Sequence, residues 1–485
     1  MNPPPSQPAR HTLDGAICVF LSEALILPTG LLTAAFLTRR LGSADYGLLT
    51  LAATLVAWIE WSVVSIFART TIKFVSEADD WRPVGATVMQ LHLLVSGGAM
   101  VLLWLLAAPV SALFREPALV TYLRLLALDI PLFSLASVHR AILIGLGDFR
   151  QRALAGASRP LSRLLLILLF VGMGFSVTGA ILANIGASLV ELLVSRFYVR
   201  PPLFHRSSFP IWQLWDYALP LFLFAVAMRL YDKLDLFALK ALGGTAEQAG
   251  FYGAAQNLSL IPGSMVALAL SPLLLSTLTR TLRAGNVDTA RDMSGKAMRA
   301  VILLLPFAGV IAGASPEVVS LIFGAPFLPA APLLGLLIFG ALALVMISVT
   351  TAILTAAGKP GWTFALTGPM LPLAAAGHLL MIPWLGAIGA AVVNTFFAIV
   401  GAGVTAIAVW WVWRVFPSAV TLGRSVLTCG FAYALTVMWQ SPGFWLLIKL
   451  PVVTLIVLLT FAALGEFNPR ELSFVRSMVR WRTAR

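Results

Sequence analysis

Charge is scarce in this sequence. Only 11% of its 485 residues are Asp, Glu, Lys or Arg, against 59% hydrophobic residues and a mean hydropathy of +0.93. That is too little charge to cover soluble domains, which excludes a sizeable water-soluble catalytic domain. Cysteine is scarcer still. Cys18 and Cys429 each sit inside an apolar stretch, so neither a disulfide framework nor a cysteine metal site is expected. Histidine offers no metal site either, because His92, His139 and His378 lie in separate apolar runs without ligand spacing. No P-loop occurs, since Gly295-Lys296 is followed by Ala297 and Gly358-Lys359 by Pro360. No catalytic residues and no cofactor are therefore predicted, and the chain reads as a non-enzyme. A cleavable signal peptide is also not expected: Met1 to Arg10 is polar and Pro-rich, and the apolar run behind it is too long for a signal h-region.

Long apolar runs fill the chain instead. About fourteen segments approach the roughly 20 residues that a membrane helix requires. They lie near 15–37, 46–68, 85–107, 119–144, 160–177, 178–199, 215–240, 250–277, 298–322, 330–356, 361–382, 386–413, 422–440 and 444–464. Alternating the loops between two sides segregates the cations. The side of both termini holds most of them, including Arg140, Arg150, Arg152, Arg159 and Arg163 around the start of the fifth run and Arg280 to Arg299 around the start of the ninth. The other side has only Arg39, Arg40, Arg115, Arg124, Lys240 and Lys449. This bias predicts cytoplasmic termini and explains the net charge of +13 without nucleic acid.

Two internal matches point to duplication. Gly179-Ala180-Ile181-Leu182-Ala183-Asn184 opens the sixth run and Gly389-Ala390-Ala391-Val392-Val393-Asn394 the twelfth. Arg40-Leu41-Gly42 with Tyr46-Gly47 follows the first run, and Ala241-Leu242-Gly243 with Tyr252-Gly253 follows the seventh. A period of six spans is even, so the copies share orientation and are related by an axis along the membrane normal, with a cavity between them. The predicted fold is all-α and polytopic, with two six-helix lobes at 1–205 and 206–418, a further helix pair at 419–465 and a basic cytoplasmic tail at 466–485.

The stretch Arg39-Arg40-Leu41-Gly42-Ser43-Ala44-Asp45-Tyr46-Gly47-Leu48 resembles the signature after the first helix of bacterial polysaccharide transporters and lipid-linked oligosaccharide flippases. Tyr217-Ala218-Leu219-Pro220, the Asp232-Lys233-Leu234-Asp235 cluster, Ala249 to Ala255 and Ile382 to Ala391 follow in the order that family shows. The resemblance implies the superfamily that also holds multidrug extruders and peptidoglycan-precursor flippases, two lobes around a central cavity, and alternating access. It implies a polyprenyl-diphosphate-linked oligosaccharide as cargo in a bacterial plasma membrane, with the bilayer, a polysaccharide polymerase and glycosyltransferases as partners. A drug or cation antiporter, a peptidoglycan-precursor flippase and a membrane glycosyltransferase or polymerase are the alternatives.

Ionisable groups at membrane depth are costly and mark candidate sites. In a helix over 215–240, Arg229, Lys233 and Lys240 share one face, within roughly 40° of one another. Arg229 and Lys233 suit a diphosphate; the competing reading is an internally neutralised cluster with Asp232, and Lys240 is expected to snorkel to the outer interface. Arg39 and Arg40, on the side poor in cations, read equally as interfacial anchors or as substrate contacts, the latter because the resemblance implies that the first helix lines the cavity. Glu23, Glu60, Asp232 and Asp235 are the candidates for coupling to protons or sodium; Glu23 and Glu60 read equally as neutral or hydrogen-bonded residues between helices, which is the preferred reading for Glu191.

Overall fold

The computed structural model describes residues 18–202, 233–441 and 443–466. Among the described residues every regular element is helical, and ten helical stretches are long and apolar enough to cross a membrane. Leu94, Leu165, Leu380 and Trp384 are 65–88% exposed on these helices, which only a lipid-facing surface tolerates. The chain is a multi-pass membrane protein.

The residues divide into two compact units, Met1–Gly253 and Ala254–Arg485. The first holds α1 (Cys18–Glu77), α2 (Arg82–Phe114), α3 (Leu119–Leu126), α4 (Asp129–Gly145), α5 (Phe149–Gly172), α6 (Ser176–Tyr198), α7 (Leu234–Ala241) and the start of α8 (Ala246–Arg283). At 60 residues α1 is far longer than one crossing needs. Gly42 divides it, with φ 78° and ψ 178°, a conformation open essentially to glycine. The two sections are the first two predicted spans. α4 packs on α1 and α6, and α5 runs along α6. Ile66, Phe67, Met89, Val138, Ile142 and Leu143 form a buried cluster at the α1, α2 and α4 junction.

The Tyr-Gly signature is a packing device. A methyl group on Gly47 would overlap the Ala246 carbonyl oxygen, and one on Gly250 would overlap the Ser43 carbonyl oxygen, so α1 and the start of α8 meet backbone to backbone. Ser43 Oγ donates to Glu247 Oε1 at 2.7 Å beside this contact. Lys240 does not snorkel as predicted. It is 5% exposed, and its Nζ donates to Glu116 Oε1 at 2.6 Å and to the Gly244 carbonyl at 3.0 Å. A counter-charge within reach replaces the hydration that snorkelling would supply.

The second unit continues α8 and adds α9 (Val287–Ile302), α10 (Leu305–Gly313), α11 (Ser315–Phe323), α12 (Ala331–Ala356), α13 (Pro360–Thr367), α14 (Met370–Trp413), α15 (Ala419–Met438) and α16 (Leu446–Ala463). α12 lies along α14, while α15 and α16 pack on α10 around Val310, Ala432, Val453, Val457 and Phe461. Lys449, fully buried on α16, donates to Glu317 Oε1 at 2.6 Å. At the other end of α16, Glu466 accepts from Thr421 Oγ1 (2.8 Å), Arg299 Nε (3.1 Å) and Arg424 Nη1 (3.2 Å), fastening the added helix pair to α9.

Backbone geometry carries the repeat further than the sequence does. Residues with positive φ recur in pairs: Gly42 with Gly243, Arg115 with Gly324, Gly147 with Gly358, and Ser176 with Gly386. Around the third pair, Ala141-Ile142-Leu143 and Ala352-Ile353-Leu354 end their helices with the same capping bonds: Asp148 N–H to Leu143 O and Lys359 N–H to Leu354 O.

Burial raises the Glu466 carboxyl, but the bonds from Thr421, Arg424 and Arg299 outweigh it and hold the group below the usual carboxylate range. Its contribution to stability is therefore present at neutral pH and is lost as pH falls through the lowered folded value. Glu466→Gln is expected to cost about 2 kcal/mol at neutral pH, with the difference from wild type shrinking on acidification, measured by unfolding in detergent. Glycine substitutions should split by site: Gly47→Ala costs about 1–3 kcal/mol through overlap, whereas Gly98→Ala, with open space around it, gains up to about 1 kcal/mol.

Candidate functional site

The first unit contains an ionic network within its helices. Its polar positions on α6 recur as a stripe, Asn184, Ser188, Glu191 and Ser195, at i, i+4, i+7 and i+11, which puts them on one face. α4 brings Asp129 at its first turn and Arg140 three turns on, α1 brings Glu60, and α5 brings Arg159.

Arg159 is the hub. Its Nη2 lies 3.4 Å from Asp129 Oδ2 and 3.9 Å from Glu60 Oε2, and its Nε lies 3.9 Å from Glu191 Oε2. The same Nε donates to Ser188 Oγ at 3.1 Å, and the guanidinium stands 4.3 Å from the Phe133 ring centre. Asp129, wholly buried, also accepts from Asn184 Nδ2 at 2.5 Å. Arg140 pairs with Glu191 at 3.0 Å and donates to Ser137 Oγ at 2.8 Å. Glu60, 3% exposed, reaches the same guanidinium from α1. Among the described residues neither Glu60 Oε1 nor Asp129 Oδ1 has a hydrogen-bond donor.

Arg152 and Arg163 extend the network along α5. Arg152, Arg159 and Arg163 at i, i+7 and i+11 fall within about 40° on the helix and span roughly 16 Å. Arg152 Nη2 donates to Glu23 Oε1 at 2.6 Å, while its Nε and Nη1 and the Nε of Arg163 find no acceptor among the described residues. Three cations in a row, two of them with uncommitted N–H groups, suit a phosphorylated anion.

This arrangement corrects one sequence expectation. Arg150, Arg152 and Arg159 are not loop residues ahead of a span starting at 160, because α5 already begins at Phe149. Acids from α1, α4 and α6 supply the charge that lets arginines enter the helix bundle. Of the predicted coupling residues, Glu60 joins the hub and Glu23 joins its α5 extension through Arg152. Glu191 is interhelical as expected, but through ion pairs with Arg140 and Arg159 and, among the described residues, not through a hydrogen bond. Asp129 is missing from the sequence candidates, although it stands out as an acid within the apolar run 119–144.

The other candidates lie elsewhere. Asp235 is buried, accepting from Tyr252 Oη at 2.5 Å and from the Leu236 N–H at 2.8 Å. Lys233 precedes α7. Arg39 and Arg40 are exposed near the Gly42 kink, with Arg40 5.8 Å from the Phe36 ring centre. Arg229 and Asp232 lie outside the described residues. No group of three or more His, Cys, Asp or Glu suited to a metal occurs among the described residues.

A family model described as polysaccharide biosynthesis protein matches residues 36–332. The fold is similar to that of the Lipid II flippase MurJ in an inward closed conformation, with a TM-score of 0.75 and 14% identity over 96% of this chain and 100% of that one. It is similar to an inward-facing multidrug resistance MATE family transporter of the MOP superfamily, with a TM-score of 0.59 and 17% identity over 82% and 95%. A MOP superfamily transporter from Pyrococcus furiosus gives 0.55 and 16% over 83% and 96%. No curated protein matches the sequence.

Removing one member of the hub should expose its coupling. Asp129→Ala is expected to cost on the order of 3 kcal/mol by leaving Arg159 and Asn184 short of a partner. The Asp129→Ala/Arg159→Ala pair should cost less than the sum of the single changes by more than about 0.5 kcal/mol, measured as a double-mutant cycle of unfolding in detergent.

Proposed function

Because the chain belongs to the polysaccharide biosynthesis protein family, we propose that it flips a polyprenyl-diphosphate-linked oligosaccharide across the bacterial cytoplasmic membrane by alternating access, for assembly of cell-surface polysaccharide. The observation that carries the cargo class is the arginine row of α5. Arg152 and Arg163 retain N–H groups without acceptors among the described residues, and a diphosphate offers oxygens for them at a depth where water is sparse. Arg229, Lys233, Arg39 and Arg40 are proposed as further contacts along the anion's route. The fold shared with a Lipid II flippase supports a lipid-linked glycan cargo.

Coupling is assigned to the acids around Arg159. Glu60 and Asp129 both reach one guanidinium, so a proton or sodium ion taken up at either acid would change how Arg159 is held. Glu23 acts through Arg152, and Asp232 and Asp235 are secondary coupling candidates. The termini are proposed to be cytoplasmic, with the bilayer, a polymerase and glycosyltransferases as partners. A cationic drug is disfavoured because Glu23, Glu60, Asp129 and Glu191 each lie against an arginine, which leaves no surplus negative charge among them to receive it.

Deleting the gene should make a lipid-linked oligosaccharide accumulate on the cytoplasmic face and abolish surface polysaccharide. An Arg152→Gln/Arg163→Gln protein, expressed normally, should restore less than about a tenth of wild-type export, corresponding to more than roughly 1.4 kcal/mol. Normal surface polysaccharide without accumulation in the deletion strain would overturn the flippase reading. Accumulation of a peptidoglycan precursor instead would redirect it to that cargo.

A further inference from the structure

The turn between α15 and α16 stands apart from the ionic network. Trp439, Gln440, Ser441, Trp445 and Ile448 line an open cavity of about 240 Å³ at the end of the helix pair opposite Glu466. On the proposed topology this is the outer face. Trp445 is 67% exposed and Trp439 39%, so both indoles are left uncovered by the protein.

Aromatic rings at helix ends commonly anchor a protein in the headgroup layer. Two features separate this turn from a simple anchor. First, two polar residues, Gln440 and Ser441, line it together with the two tryptophans. An anchor needs ring faces alone, whereas a pocket for a polar ligand combines aromatic walls with a few fixed hydrogen-bonding groups. Second, the turn is fastened from below. The Ser441 N–H donates to Glu317 Oε1 at 3.4 Å, and the wholly buried Lys449 donates to that same oxygen at 2.6 Å. The ion pair ties the Ser441 backbone, one part of the cavity lining, to α11 and α16, which reduces the ordering left for a ligand to impose there.

We propose that this cavity is a carbohydrate site on the outer face, taking one sugar ring of the glycan after translocation. The C–H groups on a pyranose face carry slight positive charge and match the negative face of an indole, while Gln440 supplies both a donor and an acceptor for ring hydroxyls. The volume lies just below the roughly 300 Å³ at which sites for whole drug-sized ligands begin, consistent with a single ring and not an extended chain. The proposal rests on the reading of the cargo as a glycan. It adds a second contact point, distant in sequence from the arginines that would meet the diphosphate.

Photocross-linking in the producing cells tests it whatever the identity of the sugar. Phe444→p-benzoylphenylalanine places the probe on an 80% exposed residue beside the cavity. Irradiation is expected to give an adduct that reacts with a glycan stain and disappears when the first glycosyltransferase of the pathway is deleted. Adding Trp439→Ala and Trp445→Ala should lower the glycan adduct about tenfold or more, as for loss of an aromatic hot spot. Trp445→Tyr should restore part of it. An adduct with phospholipid alone, or one unaffected by the tryptophan changes, would overturn the carbohydrate site. Export and cytoplasmic accumulation, scored in the same strains, keep the outcomes distinct: intact translocation without a glycan adduct removes this site and leaves the flippase reading standing.

Discussion

A charged side chain inside a bilayer must find its counter-charge within the protein, and much of this structure follows from that requirement. Arg159 satisfies it through three helices at once, drawing Glu60 of α1, Asp129 of α4 and Glu191 of α6 around one guanidinium. An apolar bundle in lipid has little to choose between alternative helix rotations, because the tails are as apolar as leucine. The hub supplies that choice. Turning α5 by one residue would carry Arg159 away from all three acids, so the ionic contacts set the rotation of the helices that bear the site.

Duplication extends to the backbone and not to the polar chemistry. Taking Gly147 with Gly358 as equivalent points, Asp129 of the first unit corresponds to Gly340 of the second. Asn184 corresponds to Asn394 by the repeated motif. In the first unit the two positions meet as a carboxylate and an amide. In the second, Gly340 lets its helix close on Thr395, the residue after Asn394. One scaffold therefore supports a charged junction in one copy and a small-residue junction in the other, which concentrates the ionic site in the first unit.

The helices are largely legible as apolar runs, and the kink at Gly42 is marked by the Leu-Gly and Tyr-Gly signature. Glu60 is legible too, since a lone acid in an apolar run is too costly to persist without a role. The arginines of α5 are not. Hydropathy reads Phe149 to Arg159 as a loop because it scores each residue in water, and the acids that neutralise those arginines lie on helices remote in sequence. Lys240 is misread for the same reason: Glu116, which makes its burial tolerable, lies 124 residues earlier. Sequence patterning finds what local composition decides and misses what a distant counter-charge decides.

The two buried lysines share a consequence for how the chain is made. Glu116 precedes Lys240 by 124 residues and Glu317 precedes Lys449 by 132, so in each case the acid leaves the ribosome well before its partner. Each buried ion pair therefore closes only near the end of its unit's synthesis, so the packing it fixes is completed late and in chain order.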